Sequence, residues 1–160
     1  HLSIRRQRQM CIRDRFDGRV SEDFKLLTGT WVQAGKLRLD ALDRLRGLVQ
    51  DVVVCGHDRG EIGLFIFPKP DQVHGDNSSD GAVIDPELQA AIESRLRTMA
   101  KASSGSAKRI ARAIILADPP SLKDSEVTDK GSLNVRKIIT RRADLLERLY
   151  DNEDPALIRV

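Results

Sequence analysis

Val52-Val53-Val54-Cys55-Gly56-His57-Asp58-Arg59-Gly60-Glu61-Ile62-Gly63-Leu64-Phe65-Ile66-Phe67-Pro68 sets two apolar runs on either side of a polar turn. Val52 to Cys55 is β-branched and buried in character. His57 to Gly60 has turn composition, and Glu61 to Pro68 is a second run of strand length. The pair predicts a β-hairpin. Neither this segment nor any other approaches the roughly 18–20 apolar residues of a membrane-spanning helix.

Moving towards the N-terminus, residues 37–47 place Leu39, Leu42 and Leu45 three apart with Leu48 following. That spacing predicts a helix with one apolar face, stopped at Gly47. Before it, Phe16 to Val32 reads as two short extended pieces punctuated by Gly18 and by Thr28-Gly29-Thr30.

Towards the C-terminus, residues 69–84 form a loop rich in Gly, Ser, Asn and Asp,. Asp85-Pro86 then opens a helix, with Asp as N-cap and Pro at the first helical position. Leu88, Ala91, Ile92, Leu96 and Met99 share one face of it, and Ser103 to Ser106 ends it. Arg109 to Leu116 predicts a third strand, stopped by Pro119-Pro120, and a polar loop runs from Ser121 to Gly131. A last helix over 134–150 carries Val135, Ile138, Ile139, Leu145, Leu146 and Leu149, with Arg142 interrupting the stripe. Residues 151–160 read as a tail.

These elements predict an α+β domain: a small three-stranded sheet with helices packed on the other side. With only four Phe, one Trp and one Tyr, the core must be aliphatic.

The formal net charge of +3 invites a nucleic-acid reading. Its distribution argues against one. Residues 1–15 hold five Arg and one Asp; removing them from 27 basic and 24 acidic residues leaves 22 against 23. The basicity belongs to this leader, which has no helical or strand periodicity, and its string MCIRDR resembles translated sequencing-adapter sequence. We read residues 1–15 as non-native. They also lack the apolar core of a signal peptide. Two cysteines without CxxC spacing fit a reducing cytoplasm.

The chain has no GxxxxGK[ST], GxSxG or HExxH motif, and its scattered His and Cys residues make no metal-ligand spacing,. His57 beside a turn and His74 in a polar loop read as solvated residues. Two polar loops offer more. In the first, Arg19 follows the flexible Gly18 and can present a planar fork to a diol or phosphate, although by spacing alone it is a surface Arg in an ion pair. In the second, Lys130 sits next to Gly131 just before a helix. It can swing onto an anionic group, although by spacing alone it is a solvated loop lysine.

Phe16-Asp-Gly-Arg-Val-Ser-Glu-Asp-Phe-Lys-Leu-Leu-Thr-Gly-Thr-Trp-Val32 resembles the hinge motif joining the two domains of adenylate-forming enzymes. Its Lys-Leu-x-Thr-Gly-x-Trp-Val form is similar to the feruloyl-CoA synthase and fatty-acyl-CoA ligase branches. Thr128-Asp-Lys-Gly-Ser-Leu-Asn-Val-Arg-Lys137 resembles that branch's C-terminal lysine motif, and RRADLLERLYDNEDP strengthens the feruloyl-CoA synthase likeness.

The resemblance implies the C-terminal lid domain of an AMP-forming acyl-CoA ligase. It divides the chain into a hinge segment over 16–32, a lid over 33–150 and a tail. Arg19 would contact the ribose of ATP and AMP. Ser21 would be the hinge residue, where the family usually has Asp or Lys. Gly29 would lie on the loop that approaches CoA. Lys130 would be the adenylation lysine, two positions before Ser132, where the family order Thr-x-x-Gly-Lys puts it.

The implied substrates are ATP, CoA and an aromatic or fatty carboxylic acid. Mg2+ would accompany ATP, held mainly by a large N-terminal adenylation domain. That domain is the implied partner, with no role for nucleic acid or membrane and a cytoplasmic location. The alternative from another class is a stand-alone small binding module with a basic N-terminal arm.

Overall fold

The structure, a computed structural model, describes residues 23–73, 78–79, 81–102 and 109–160. Arg19, Ser21 and the leader lie outside the described residues. A short hairpin comes first, with β1 (Phe24–Lys25) pairing antiparallel to β2 (Trp31–Val32). Helix α1 (Ala34–Arg44) leads to β3 (Val49–Cys55) and β4 (Ile62–Pro68).

These two strands form the expected hairpin, with Val52 opposite Ile66 and Val54 opposite Leu64. A 3-10 turn (Pro70–Gln72) and a two-stranded ribbon of β5 (Ser78–Ser79) and β6 (Ala82–Val83) break up the loop expected over 69–84. Helix α2 (Pro86–Ala102) crosses to β7 (Ile110–Ile115), which runs parallel to β4 with Leu64 opposite Ala113. Helices α3 (Val135–Arg141) and α4 (Ala143–Leu149) precede β8 (Leu157–Arg159).

The main sheet has the order β3-β4-β7-β8. Its fourth strand comes from the residues read as a tail: β8 pairs antiparallel with β7, placing Ile158 opposite Ala113. The helices also cover both faces of the sheet rather than one. Val52, Val54, Leu64, Ile66, Ala113 and Ile115 pack with Leu37, Ala41 and Leu45 around α1 and with Leu88, Ile92 and Leu96 of α2. The alternate residues Val53, Phe65, Phe67 and Ile114 pack against Ile138, Leu145 and Leu149 of α3 and α4. Burial on both faces explains why β4 reads as an unbroken apolar run instead of an alternating one. Each buried Leu or Ile contributes about 1.5–3 kcal/mol.

At the start of α2, the Leu88 N–H donates to Asp85 Oδ1 at 3.2 Å, with Pro86 beginning the helix. Two helical readings change. In α1 the buried residues are Ala34, Gly35, Leu37 and Ala41, with Leu45 just beyond, while Leu39 is 62% exposed. A 3.6-residue turn favours the four-apart set 37, 41 and 45 over a three-apart set through Leu39. The helix expected over 134–150 is split at Arg142, whose φ of −109° and ψ of 36° depart from helical values,. Its side chain turns back to acceptors outside the helix instead of joining the apolar stripe.

Candidate functional site: two glycine turns beside one cleft

The segment Leu26-Leu27-Thr28-Gly29-Thr30 closes β1 onto β2. The Leu26 N–H donates to Thr30 O at 2.8 Å and the Gly29 N–H to Leu26 O at 2.8 Å, with Gly29 at φ +88°. Thr128-Asp129-Lys130-Gly131-Ser132 repeats this pattern 102 positions on: the Thr128 N–H donates to Ser132 O at 2.8 Å and the Gly131 N–H to Thr128 O at 2.9 Å, with Gly131 at φ +86°. The left-handed region is strained for residues with a Cβ, and glycine enters it freely. A bridge between Val127 and Leu133 extends the second turn into a small hairpin, and the Ser132 N–H donates to Thr128 Oγ1 at 3.1 Å.

The first turn is fastened at its base. The Ala34 N–H, at the start of α1, donates to Asp23 Oδ1 at 2.9 Å, and the Leu27 N–H donates to Arg59 O at 2.8 Å. Gly29 itself is exposed at the tip. The second turn holds Lys130 at its apex. Lys130 is exposed and makes no hydrogen bond or ion pair with any described residue. Thr128 and Gly131 close the turn, which leaves Lys130 at the apex and Ser132 on the returning side.

The bases of the two hairpins border one cleft of about 900 Å³. Asp23 and Phe24 contribute from the first, and Thr128, Leu133 and Asn134 from the second. Val54 and Ile139 add apolar lining, and His57 and Arg136 add polar groups. Gly29 and Lys130 are not among the lining residues; each stands at the tip of its own turn. Asn134, Arg136 and His57 were not singled out as cleft residues from sequence. Asn134 also caps α3, its Oδ1 accepting from the Lys137 N–H at 3.2 Å.

Cys55 reaches the cleft too, but burial pushes its thiol up to about 12, despite the opposing backbone contact at Phe65 and the Arg59 charge, so it is no thiolate nucleophile near neutrality,.

A charged cluster underlies the second hairpin. Glu126 is fully buried. Its carboxylate accepts from Arg142 Nη2 and Nε at 2.9 Å each and from the Ser121 N–H at 2.9 Å, and lies 3.0 Å from Arg141 Nη1. Burial opposes the charge on Glu126. The hydrogen bonds from Arg142 and the Ser121 N–H, with the charges of Arg142 and Arg141, outweigh it and hold the carboxyl below its usual range,. Arg142 also donates to Asp118 O at 3.0 Å and Pro119 O at 3.1 Å, and its guanidinium lies 5.2 Å from the centre of the Phe67 ring.

Among the described residues, no group of three or more His, Cys, Asp or Glu could hold a metal ion. No helix among them is long and apolar enough to cross a membrane.

The model of the AMP-binding enzyme C-terminal domain family matches residues 26–154. The chain is 21% identical over 139 residues to probable acyl-activating enzyme 16, chloroplastic, of Arabidopsis thaliana, a match covering 84% of this chain and 19% of that protein. Among solved structures, it resembles the A domain of carboxylic acid reductase from Segniliparus rugosus in complex with AMP and a co-purified carboxylic acid, with a TM-score of 0.61 and 21% identity over 80% of this chain and 19% of the other. It also resembles the A-PCP didomain of that reductase in complex with AMP, with a TM-score of 0.62 and 22% identity over 80% of this chain and 17% of the other. The structural likeness supports the fold. The chain spans about a fifth of the length of the proteins it matches.

Proposed function

Because the chain belongs to the AMP-binding enzyme C-terminal domain family, we propose that it is the moving lid of an ATP-dependent acid–CoA ligase of the feruloyl-CoA synthase type, working in the cytoplasm with a large N-terminal adenylation domain. The carrying observation is Lys130: a cation at the apex of a glycine-closed hairpin, without an ion-pair partner among the described residues. Such a cation is available to an anion outside the domain.

In the first half-reaction, a carboxylate oxygen attacks the α-phosphorus of ATP. The bond to the β-phosphate bridging oxygen breaks, and pyrophosphate leaves with that oxygen. Lys130 would stabilise the charge that develops. In the second, the CoA thiolate attacks the acyl carbon and AMP departs. Here the lid would present the Gly29 turn towards CoA, and Lys130 would have moved away. Arg19 would hold the ribose hydroxyls and Ser21 would absorb the backbone change, with residues 16–32 as the hinge and 33–150 as the lid. Mg2+ would enter with ATP on the large domain. The acid would be aromatic, of the ferulate kind, or fatty.

The test is complementation. A lid-deleted ligase of this type should regain ferulate- and ATP-dependent CoA-thioester formation when this domain is rejoined to it. Residues 16–160 alone should release no pyrophosphate. No recovery with a correctly folded chimera would count against the lid reading, as would turnover by the isolated domain.

A further inference from the structure

The hairpin carrying Lys130 is short. Between Val127 and Leu133 its internal support is a single bridge and the turn's own hydrogen bonds. What fixes its direction lies at its base. The Asn134 N–H donates to Glu126 O at 2.8 Å, so both hairpin ends meet at residue 126. The side chain of the same residue points inward and is gripped by Arg142 through two 2.9 Å bonds. Arg142 in turn stands at the kink between α3 and α4 and holds the carbonyls of Asp118 and Pro119, in the loop leaving β7. One carboxylate therefore ties the hairpin, the helix junction and the loop after the central strand into a single unit.

The grip is bidentate, which fixes orientation as well as distance. Its guanidinium is braced against the Phe67 ring of β4.

We infer that Glu126 and Arg142 are positioning residues for the adenylation half-reaction, holding the 127–133 hairpin at the angle from which Lys130 reaches the reacting phosphate. The inference rests on the lid reading above. A hairpin of this size has few contacts of its own, and loosening its base spreads the apex over many orientations. A misplacement of about 1 Å can cost up to a hundredfold in rate. The CoA-side turn at Gly29 is fastened instead through Asp23 and Arg59 and shares none of these bonds. Loss of the Glu126–Arg142 grip therefore affects one half-reaction selectively.

The experiment uses the full-length enzyme carrying this domain. Glu126→Gln and Arg142→Lys are compared with the parent in ferulate-dependent ATP–pyrophosphate exchange, and in thioester formation from pre-made feruloyl-adenylate and CoA. We expect exchange to fall about tenfold or more, mainly in kcat, and thioester formation to change by less than about twofold. Arg142→Lys keeps the charge and decides the matter if Glu126→Gln fails to fold. Trypsin cleavage of this chain after Lys130 should also accelerate in both variants, by more than cleavage at other sites does.

Equal losses in both half-reactions would overturn the inference, since the pair would then only hold the fold together. So would unchanged exchange. Lys130→Ala separates this from the broader reading. If it abolishes exchange while the other two variants leave exchange intact, only the positioning inference fails. If it leaves exchange intact, the lid reading fails.

Discussion

Gly29 and Gly131 hold the same place in two separate turns: each donates its N–H to the carbonyl three residues before it, with φ of +88° and +86°. A Cβ added at either would meet nothing within 4 Å. The requirement is therefore one of backbone conformation rather than space. Gly29→Ala and Gly131→Ala should each destabilise the domain by about 1–2 kcal/mol, the cost of left-handed backbone for a residue with a Cβ. Gly131→Asn should cost less. Urea unfolding measures this, and a cost below about 0.3 kcal/mol for both alanines would show that the turns relax freely.

Helix α1 offers a test of which face it buries. Leu37 is 3% exposed and Leu39 is 62% exposed. Leu37→Ala should destabilise by about 2–4 kcal/mol through lost burial and an unfilled cavity. Leu39→Lys should change stability by less than about 0.5 kcal/mol. The reverse order would restore the face through Leu39, Leu42 and Leu45.

Acid should weaken the domain in a defined way. The Glu126 carboxyl is held below its ordinary value of 4.5, where bonds and charge from Arg142 and Arg141 and the Ser121 N–H overcome burial. Asp154 is held below its ordinary 3.8, first by its hydrogen bond from Arg148, against burial, and then by the Ala156 N–H and the Arg148 charge. The unfolded chain therefore binds these protons more readily than the folded one. The stabilisation is present in full above those ordinary values and is lost as pH falls below them. Thermal unfolding from pH 6 down to pH 2 should show this slope, and Glu126→Gln should flatten it. An unchanged slope in that variant would mean that other carboxyl groups dominate.

Breaking the pair is costly at neutral pH as well, because Arg142 is only 10% exposed and Glu126 is fully buried. Removing one partner of such a pair costs about 3–5 kcal/mol. The bonds Arg142 makes to the Asp118 and Pro119 carbonyls place Glu126→Gln near the lower end of that range.

Much of the fold was written in short-range pattern. The β-branched run at Val52 to Cys55, the Gly60 turn and the Asp85-Pro86 helix start all act within a few residues, and each formed as expected. Strand β8 was not legible. Three residues are too few for a period, and Leu157–Arg159 becomes a strand because β7 offers it a free edge. The break at Arg142 was visible as an interruption of an apolar stripe. Its cause, a carboxylate sixteen positions earlier, was not. In the candidate site, the sequence put Gly29 and Lys130 in polar, glycine-punctuated segments, and both lie at exposed turn tips. The shared cleft appears only once the fold brings Asp23, Phe24 and Asn134 to one place.

The central claim, that Lys130 serves adenylation from a moving lid, is tested most directly by Lys130→Ala in the full-length enzyme. The measurement is ferulate-dependent ATP–pyrophosphate exchange, set beside thioester formation from feruloyl-adenylate and CoA. Loss of a preorganised charge of this kind predicts a fall in exchange of about a hundredfold or more, with thioester formation within about twofold of the parent. Exchange within about twofold of the parent would contradict the claim.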